Sequence, residues 1–238
     1  GRYSADELRA LDDYADMLGI ELCPCIQTLG HLNRALHWPA LAHLKDNEEV
    51  LLADDAQTYA FLEELIAAAA APYRSKRIHI GMDEAHGIGL GAHLRRHGYE
   101  DPHTIIRRHL SRVLEITRRH GLSAMMWSDM YFHMAQPGSA AAYPAGRTLS
   151  EAIVAAAPKD IDLVYWDYYT EDGALARHLF AEHARFSADL CGRRIHVERP
   201  RPRLRQGGSD DAHFDDGVPR GGRSAGVRDD VGRRRRGM

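Results

Sequence analysis

Arg77-Ile78-His79-Ile80-Gly81-Met82-Asp83-Glu84-Ala85-His86 is the stretch on which the fold turns. Its first half, Arg77 to Met82, is too apolar on both faces to be half solvated, which predicts a buried strand of a parallel sheet. Its second half is two adjacent acids and a histidine, with Gly87 and Gly89 close behind. In parallel α/β architectures the working residues lie at the carboxyl ends of strands. Neighbours in a regular strand point to opposite faces, so Asp83 and Glu84 reach one pocket only where the backbone leaves β geometry. An isolated Asp–Glu pair ordinarily opens a solvated loop; placement after an apolar strand points to a site instead. Crowding two carboxylates beside apolar and aromatic groups pushes their pKa values apart, leaving one protonated and one ionised. Such a pair suits cleavage of a glycosidic bond.

The same alternation extends on both sides. Upstream, Ser4-Ala5-Asp6-Glu7 is a capping box, followed by Leu8, Leu11, Tyr14, Ala15 and Leu18 at helical spacing and a stop at Gly19. Ile20 to Ile26 then predicts a buried strand despite Pro24, and Gln57 to Ala70 a helix. Downstream come a helix over His103 to His120, a strand over Ser123 to Ser128, and a helix over Leu149 to Ala157. A strand over Asp162 to Tyr169 and a helix over Asp172 to Leu190 complete the pattern. Strand and helix alternate about four times, the signature of a parallel sheet wrapped in helices. Both a doubly wound sheet and an eight-stranded barrel satisfy it, and four strands do not close a barrel.

Each predicted strand ends in chemistry. The first ends in Gln27-Thr28-Leu29-Gly30-His31, the third in Trp127-Ser128-Asp129, and the fourth in Trp166-Asp167-Tyr168-Tyr169. A tryptophan at a strand end is ordinarily core; Trp127 and Trp166 beside acids read instead as walls for the apolar faces of a sugar. His31 reads as a core histidine or as a hydrogen-bond partner holding Glu84. Asp83-Glu84-Ala85-His86 also spells a helicase motif, but that chemistry needs a Gly-Lys phosphate loop, and the sequence contains no Gly-Lys. His79, Asp83, Glu84 and His86 offer ligands for zinc or manganese, but none of the four belongs to a His-x-x-x-His or His-Glu-x-x-His pattern, so a metal-dependent hydrolase is the second reading and a non-catalytic sugar-binding protein the third.

With 44% hydrophobic and 27% charged residues, the 238-residue chain has an ordinary globular composition. It has no apolar run of membrane-spanning length and no secretory signal, although Gly1 rather than Met stands first. Cys23, Cys25 and Cys191 make no disulfide scaffold, and a reduced, cytoplasmic setting is the default. The net charge of −3 conceals two segments: residues 191–238 hold 13 Arg against 7 acids, a balance of +6, leaving −9 on residues 1–190. The first segment reads as the folded domain. The second, rich in Arg and Gly and poor in apolar residues, reads as a disordered tail. An arm for nucleic acid is the weaker account of it; no nucleic-acid or membrane partner is expected.

Ile78-His79-Ile80-Gly81-Met82-Asp83-Glu84 resembles the catalytic strand of glycoside hydrolase family 20, the β-N-acetylhexosaminidases, usually His-x-Gly-Gly-Asp-Glu. Met82 in place of the second glycine, Gln27-Thr28-Leu29-Gly30-His31 and Met126-Trp127-Ser128-Asp129-Met130 are similar to motifs of a bacterial subgroup. The resemblance covers about Gly1 to Leu190. It implies a (β/α)8 TIM barrel, of which this chain would supply strands three to six, and no cofactor. It also implies hydrolysis of terminal β-linked N-acetylglucosamine or N-acetylgalactosamine, with the sugar's own acetamido group as nucleophile. Asp83 would orient that group, Glu84 would act as acid and then base, and His31, Trp127, Asp129, Trp166 and Tyr168 would bind substrate. Read one base later with suitable codons, Arg194 to Pro202 permits Ala-Tyr-Thr-Trp-Asn-Gly-Leu-Ala-Pro, which resembles the subgroup's seventh-strand motif, so the tail is expected to be out of frame. Strands one, two, seven and eight are then missing, and the chain alone is expected to be inactive or unstable because a part barrel exposes strand edges.

Overall fold

The computed structural model describes residues 2–135, 143, 148–167 and 172–186, together with the backbone of 196–198. Helix α1 (Ala5–Met17) starts at Ser4, whose hydroxyl accepts from the Glu7 N–H while Glu7 returns a carboxylate to the Ser4 N–H at 2.6 Å. Helix α2 (Asn33–Leu36) and a 3-10 turn over Pro39–Leu44 lead to α3 (Ala56–Ala70), capped by the Asp55 carboxylate. Strand β1 (Arg77–His79), α4 (Ala92–His97) and α5 (Pro102–Arg119) follow, then β2 (Ser123–Trp127) and α6 (Asp129–Ala135). The described chain continues through α7 (Glu151–Ala156), β3 (Ile161–Trp166), α8 (Gly173–Phe186) and β4 (His196–Glu198).

The sheet is parallel, in the order β1-β2-β3-β4. Ile78 stands opposite Ala124, Met126 opposite Leu163, and Tyr165 opposite Val197. Helix α5 has the sequence expected of a sheet cover: Asp101 caps it, Pro102 opens it, and Ile105, Leu110, Val113 and Leu114 are buried on one face. It packs on β2 and on α3, which buries Leu62 and Ile66. These side chains join Ile78, Ile80, Met126 and Tyr165 in one core; each contributes about 1.5–3 kcal/mol relative to exposure.

Two expectations change. Ile20 to Ile26 is not a buried strand: Ile20 is 53% exposed, and the segment pairs with β1 only from Pro24 onward. There the His79 N–H donates to the Pro24 carbonyl, Ile26 N–H to His79 and Thr28 N–H to Ile80. Proline has no N–H to donate, so the ladder starts late. The strand expected over Arg77 to Met82 stops at His79, because Gly81 and Met82 adopt positive φ of 70° and 73°. Residues His196–Glu198 pair with β3 as β4. Among the described residues, no helix is long and apolar enough to cross a membrane.

Candidate active site

The carboxyl ends of β1, β2 and β3 and the loop 27–31 meet on one rim. What brings adjacent Asp83 and Glu84 together is backbone conformation: Met82 at φ 73° and Glu84 at φ 45° leave β geometry, so the two side chains no longer oppose each other. Left-handed φ at such residues costs on the order of 1–3 kcal/mol each and persists only where neighbours hold it. Two side-chain acceptors do so. Gln27 Oε1 accepts from the Met82 N–H at 3.2 Å, and Asp129 Oδ2 accepts from the Glu84 N–H at 3.0 Å. The same Gln27 donates its Nε2 to Asp83 Oδ1 at 2.8 Å.

His31 closes the arrangement from the other side. It too has a positive φ, 55°, and its Nε2 lies 3.1 Å from Asp83 Oδ2 and 3.4 Å from Glu84 Oε2. One imidazole therefore bridges both acids. Gly30 permits this approach, since a Cβ there would sit 2.6 Å from the Asp83 carbonyl oxygen. The Asp83 side chain is only 15% exposed while that of Glu84 is 38% exposed. One acid is recessed and held by donors; its neighbour faces outward.

Asp129, at the start of α6, is buried under the pair. Burial first, and then the Asp83 charge, push its carboxyl up to about 7 against the opposing pull of the Glu84 N–H and the Trp166 indole. Trp166 Nε1 donates to Asp129 Oδ1 at 3.5 Å. Trp127 packs its indole on His79, ring centroids 4.3 Å apart. Tyr168 lies outside the described residues. Thus Asp83, Glu84, His31, Asp129 and Trp166 are linked by direct contacts, and Trp127 stands on the same rim against His79.

A polar chain under the rim was not anticipated. Trp166 N–H donates to the Tyr143 hydroxyl, which lies 2.9 Å from Ser128 Oγ, and Ser128 Oγ is 2.7 Å from His183 Nε2. His183 Nδ1 is 2.6 Å from the Leu179 carbonyl, and burial pulls its pKa down to about 4, so the ring is neutral with its proton on Nδ1. Ser128 then donates to His183 and accepts from Tyr143, tying α8 to β2 and β3. Gln27 was also unassigned, although it stood in the quoted motif. Among the described residues, no group of three or more His, Cys, Asp or Glu side chains is arranged to hold a metal ion.

With this geometry in view, the comparisons are decisive at the level of family. The model of the glycosyl hydrolase family 20 catalytic domain matches residues 1–173. The chain belongs to glycosyl hydrolase family 20. It is 26% identical over 177 residues to hexosaminidase D of Homo sapiens, covering 70% of this chain and 33% of that protein. Bos taurus hexosaminidase D is 24% identical over 194 residues, covering 78% and 52% respectively. Among solved structures, the family 20 β-N-acetylhexosaminidase of Streptomyces coelicolor A3(2) aligns with TM-score 0.53 and 19% identity over 84% of this chain and 34% of its own. A mutant Streptomyces plicatus β-hexosaminidase in complex with product GlcNAc aligns with TM-score 0.55 and 21% identity, with the same coverage. The chain thus spans about a third of the human relative and about half of the bovine one. Its α/β fold with a parallel sheet is that of part of the family 20 catalytic domain.

Proposed function

We propose that this chain carries the catalytic centre of an exo-β-N-acetylhexosaminidase and supplies strands three to six of its barrel. The observation that carries the reading is the unequal pair: recessed Asp83 fixed by Gln27 and His31, beside outward-facing Glu84 under the same imidazole. Substrate-assisted cleavage asks for that inequality. The acetamido oxygen of the sugar attacks C1 as the bond to the leaving oxygen breaks. Glu84 gives its proton to that oxygen, a contribution of roughly 10²–10⁴ in rate for general acid catalysis. The positive charge that develops on the acetamido nitrogen faces Asp83, whose anion is preorganised by its donors. Water then attacks C1, yields its proton to Glu84 and releases the acetamido oxygen, so configuration is retained.

His31 steadies both acids, Asp129 fixes the Glu84 peptide, and Trp166 and Trp127 wall the ring; Tyr168 is assigned to the acetamido oxygen. Substrates are β-linked glycosides of N-acetylglucosamine or N-acetylgalactosamine, as the resemblance of the motifs implies. Binding tests this without requiring turnover. N-acetylglucosamine should bind the chain and glucose should not, and Asp83→Asn should remove that discrimination. Equal binding of both sugars to the unmodified chain would overturn the proposal.

A further inference from the structure

A cavity of about 130 Å³ lies between the loop that follows Glu84, the first turn of α5, and α6. Ala85 and His86, in its wall, come directly after Glu84, and Met130, also in its wall, directly after Asp129. Ile106, Met130 and Met134 make an apolar floor, and His86, His103 and His133 stand around it. The rings of His86 and His133 meet edge-on with centroids 5.3 Å apart. Neither imidazole has a hydrogen-bond or ion-pair partner among the described residues, and His103 has only Asp101, at 3.8 Å. No acid lines the cavity among those residues. Such convergent polar groups over an apolar floor decide what a pocket selects.

We propose that this cavity receives the leaving group and selects glycosides whose aglycone carries a carboxylate on a short apolar body. The inference rests on the reading of Glu84 as the acid, because a leaving oxygen protonated by Glu84 is delivered to the residues that follow it. A cavity of similar size lined by apolar groups holds one six-membered ring, as an engineered apolar cavity of about 150 Å³ that binds benzene shows. An uncharged ring makes no use of the paired imidazoles of exposed His86 and half-buried His133, whereas a carboxylate accepts from imidazole N–H groups. Burial and then the charges of His86 and His103 hold the His133 pKa down; an anion between the rings offsets the second cause. Of the nearby acids, Asp101, which caps α5, lies 3.8 Å from His103 Nε2, while Glu84 directly precedes the cavity wall and Asp129 stands at the head of α6. The last two are directed at the catalytic end, where each is tied to the Glu84 peptide or to His31.

Two non-hydrolysable thioglycosides of N-acetylglucosamine, one with a phenyl and one with a 4-carboxyphenyl aglycone, separate the possibilities by calorimetry on the full chain. At about pH 6 the carboxylated probe should bind tighter than the phenyl probe by about tenfold or more, the scale of a charge-assisted hydrogen bond. That preference should vanish by about pH 8.5, where histidines are neutral. It should also vanish in the His86→Asn, His133→Asn double variant at the lower pH. Equal binding of the two probes to the unmodified chain at about pH 6 would overturn the inference, as would a preference that survives at about pH 8.5. Neither of those comparisons depends on the variant folding. If both probes and N-acetylglucosamine fail to bind, the reading of Asp83 and Glu84 falls with it; if all bind without a carboxylate advantage, only the cavity assignment falls.

Discussion

Replacing Asp129 by asparagine isolates the electrostatic cost of the buried carboxyl beneath the rim. Its pKa is raised from an ordinary 3.8 to about 7, so ionising it in the folded chain is roughly 4 kcal/mol less favourable than in the unfolded chain. The sign follows from proton counting. Between the two values the folded chain keeps a proton that the unfolded chain has lost, so stability is full below the ordinary value and falls as pH rises toward 7. From about pH 5 to pH 8 this loss amounts to roughly 2–3 kcal/mol. In Asp129→Asn the amide oxygen still accepts from the Glu84 N–H, but nothing ionises. Urea unfolding of both proteins across this range is the assay, and the difference between them cancels every other titrating group. The variant should gain on the parent by roughly 2–3 kcal/mol over the interval. A difference that stays constant with pH would show that Asp129 is ionised throughout and would refute the reasoning.

Two further substitutions probe the supports of the site. Gly30→Ala places a Cβ 2.6 Å from the Asp83 carbonyl oxygen and 3.2 Å from the Ala85 Cα, both backbone. It should lower Tm and abolish N-acetylglucosamine binding, whereas Gly19→Ala, where nothing lies within 4 Å, should leave binding intact and lose only the smaller cost of a positive φ, about 1 kcal/mol. Ser128→Ala removes the partner of both His183 Nε2 and the Tyr143 hydroxyl. Its expected destabilisation, measured in urea, is roughly 1–3 kcal/mol for buried groups left unpaired.

Much of this architecture was legible because it rests on local rules. The Ser4–Glu7 capping box and the apolar face Ile105 to Leu114 of α5 depend on neighbours within a few residues. The departure from β geometry at Asp83-Glu84 was legible for a related reason: an apolar run that turns abruptly acidic has few stable places in a parallel sheet. Ile20 to Ile26 misled because an apolar run does not reveal whether another element covers it. Helix α6 follows β2 after a single residue, leaving no room for the usual punctuation between them. The Gln27–Asp83 bond spans 56 residues and the Ser128–His183 bond 55; no periodicity reports contacts of that range. The raised pKa of Asp129 is likewise a product of burial, which exists only once α6, β1 and β3 have come together.

The central claim is that Asp83 and Glu84 divide the work of substrate-assisted cleavage, and a stable thiazoline copy of the bicyclic cation formed from N-acetylglucosamine tests it most directly. Titration calorimetry should show this compound binding more tightly than N-acetylglucosamine itself, because its charged nitrogen meets the Asp83 anion. Asp83→Asn should weaken it by about tenfold or more, the worth of a charge-assisted hydrogen bond, and Glu84→Gln by distinctly less. If Asp83→Asn binds the thiazoline as well as the parent chain does, the assignment is contradicted.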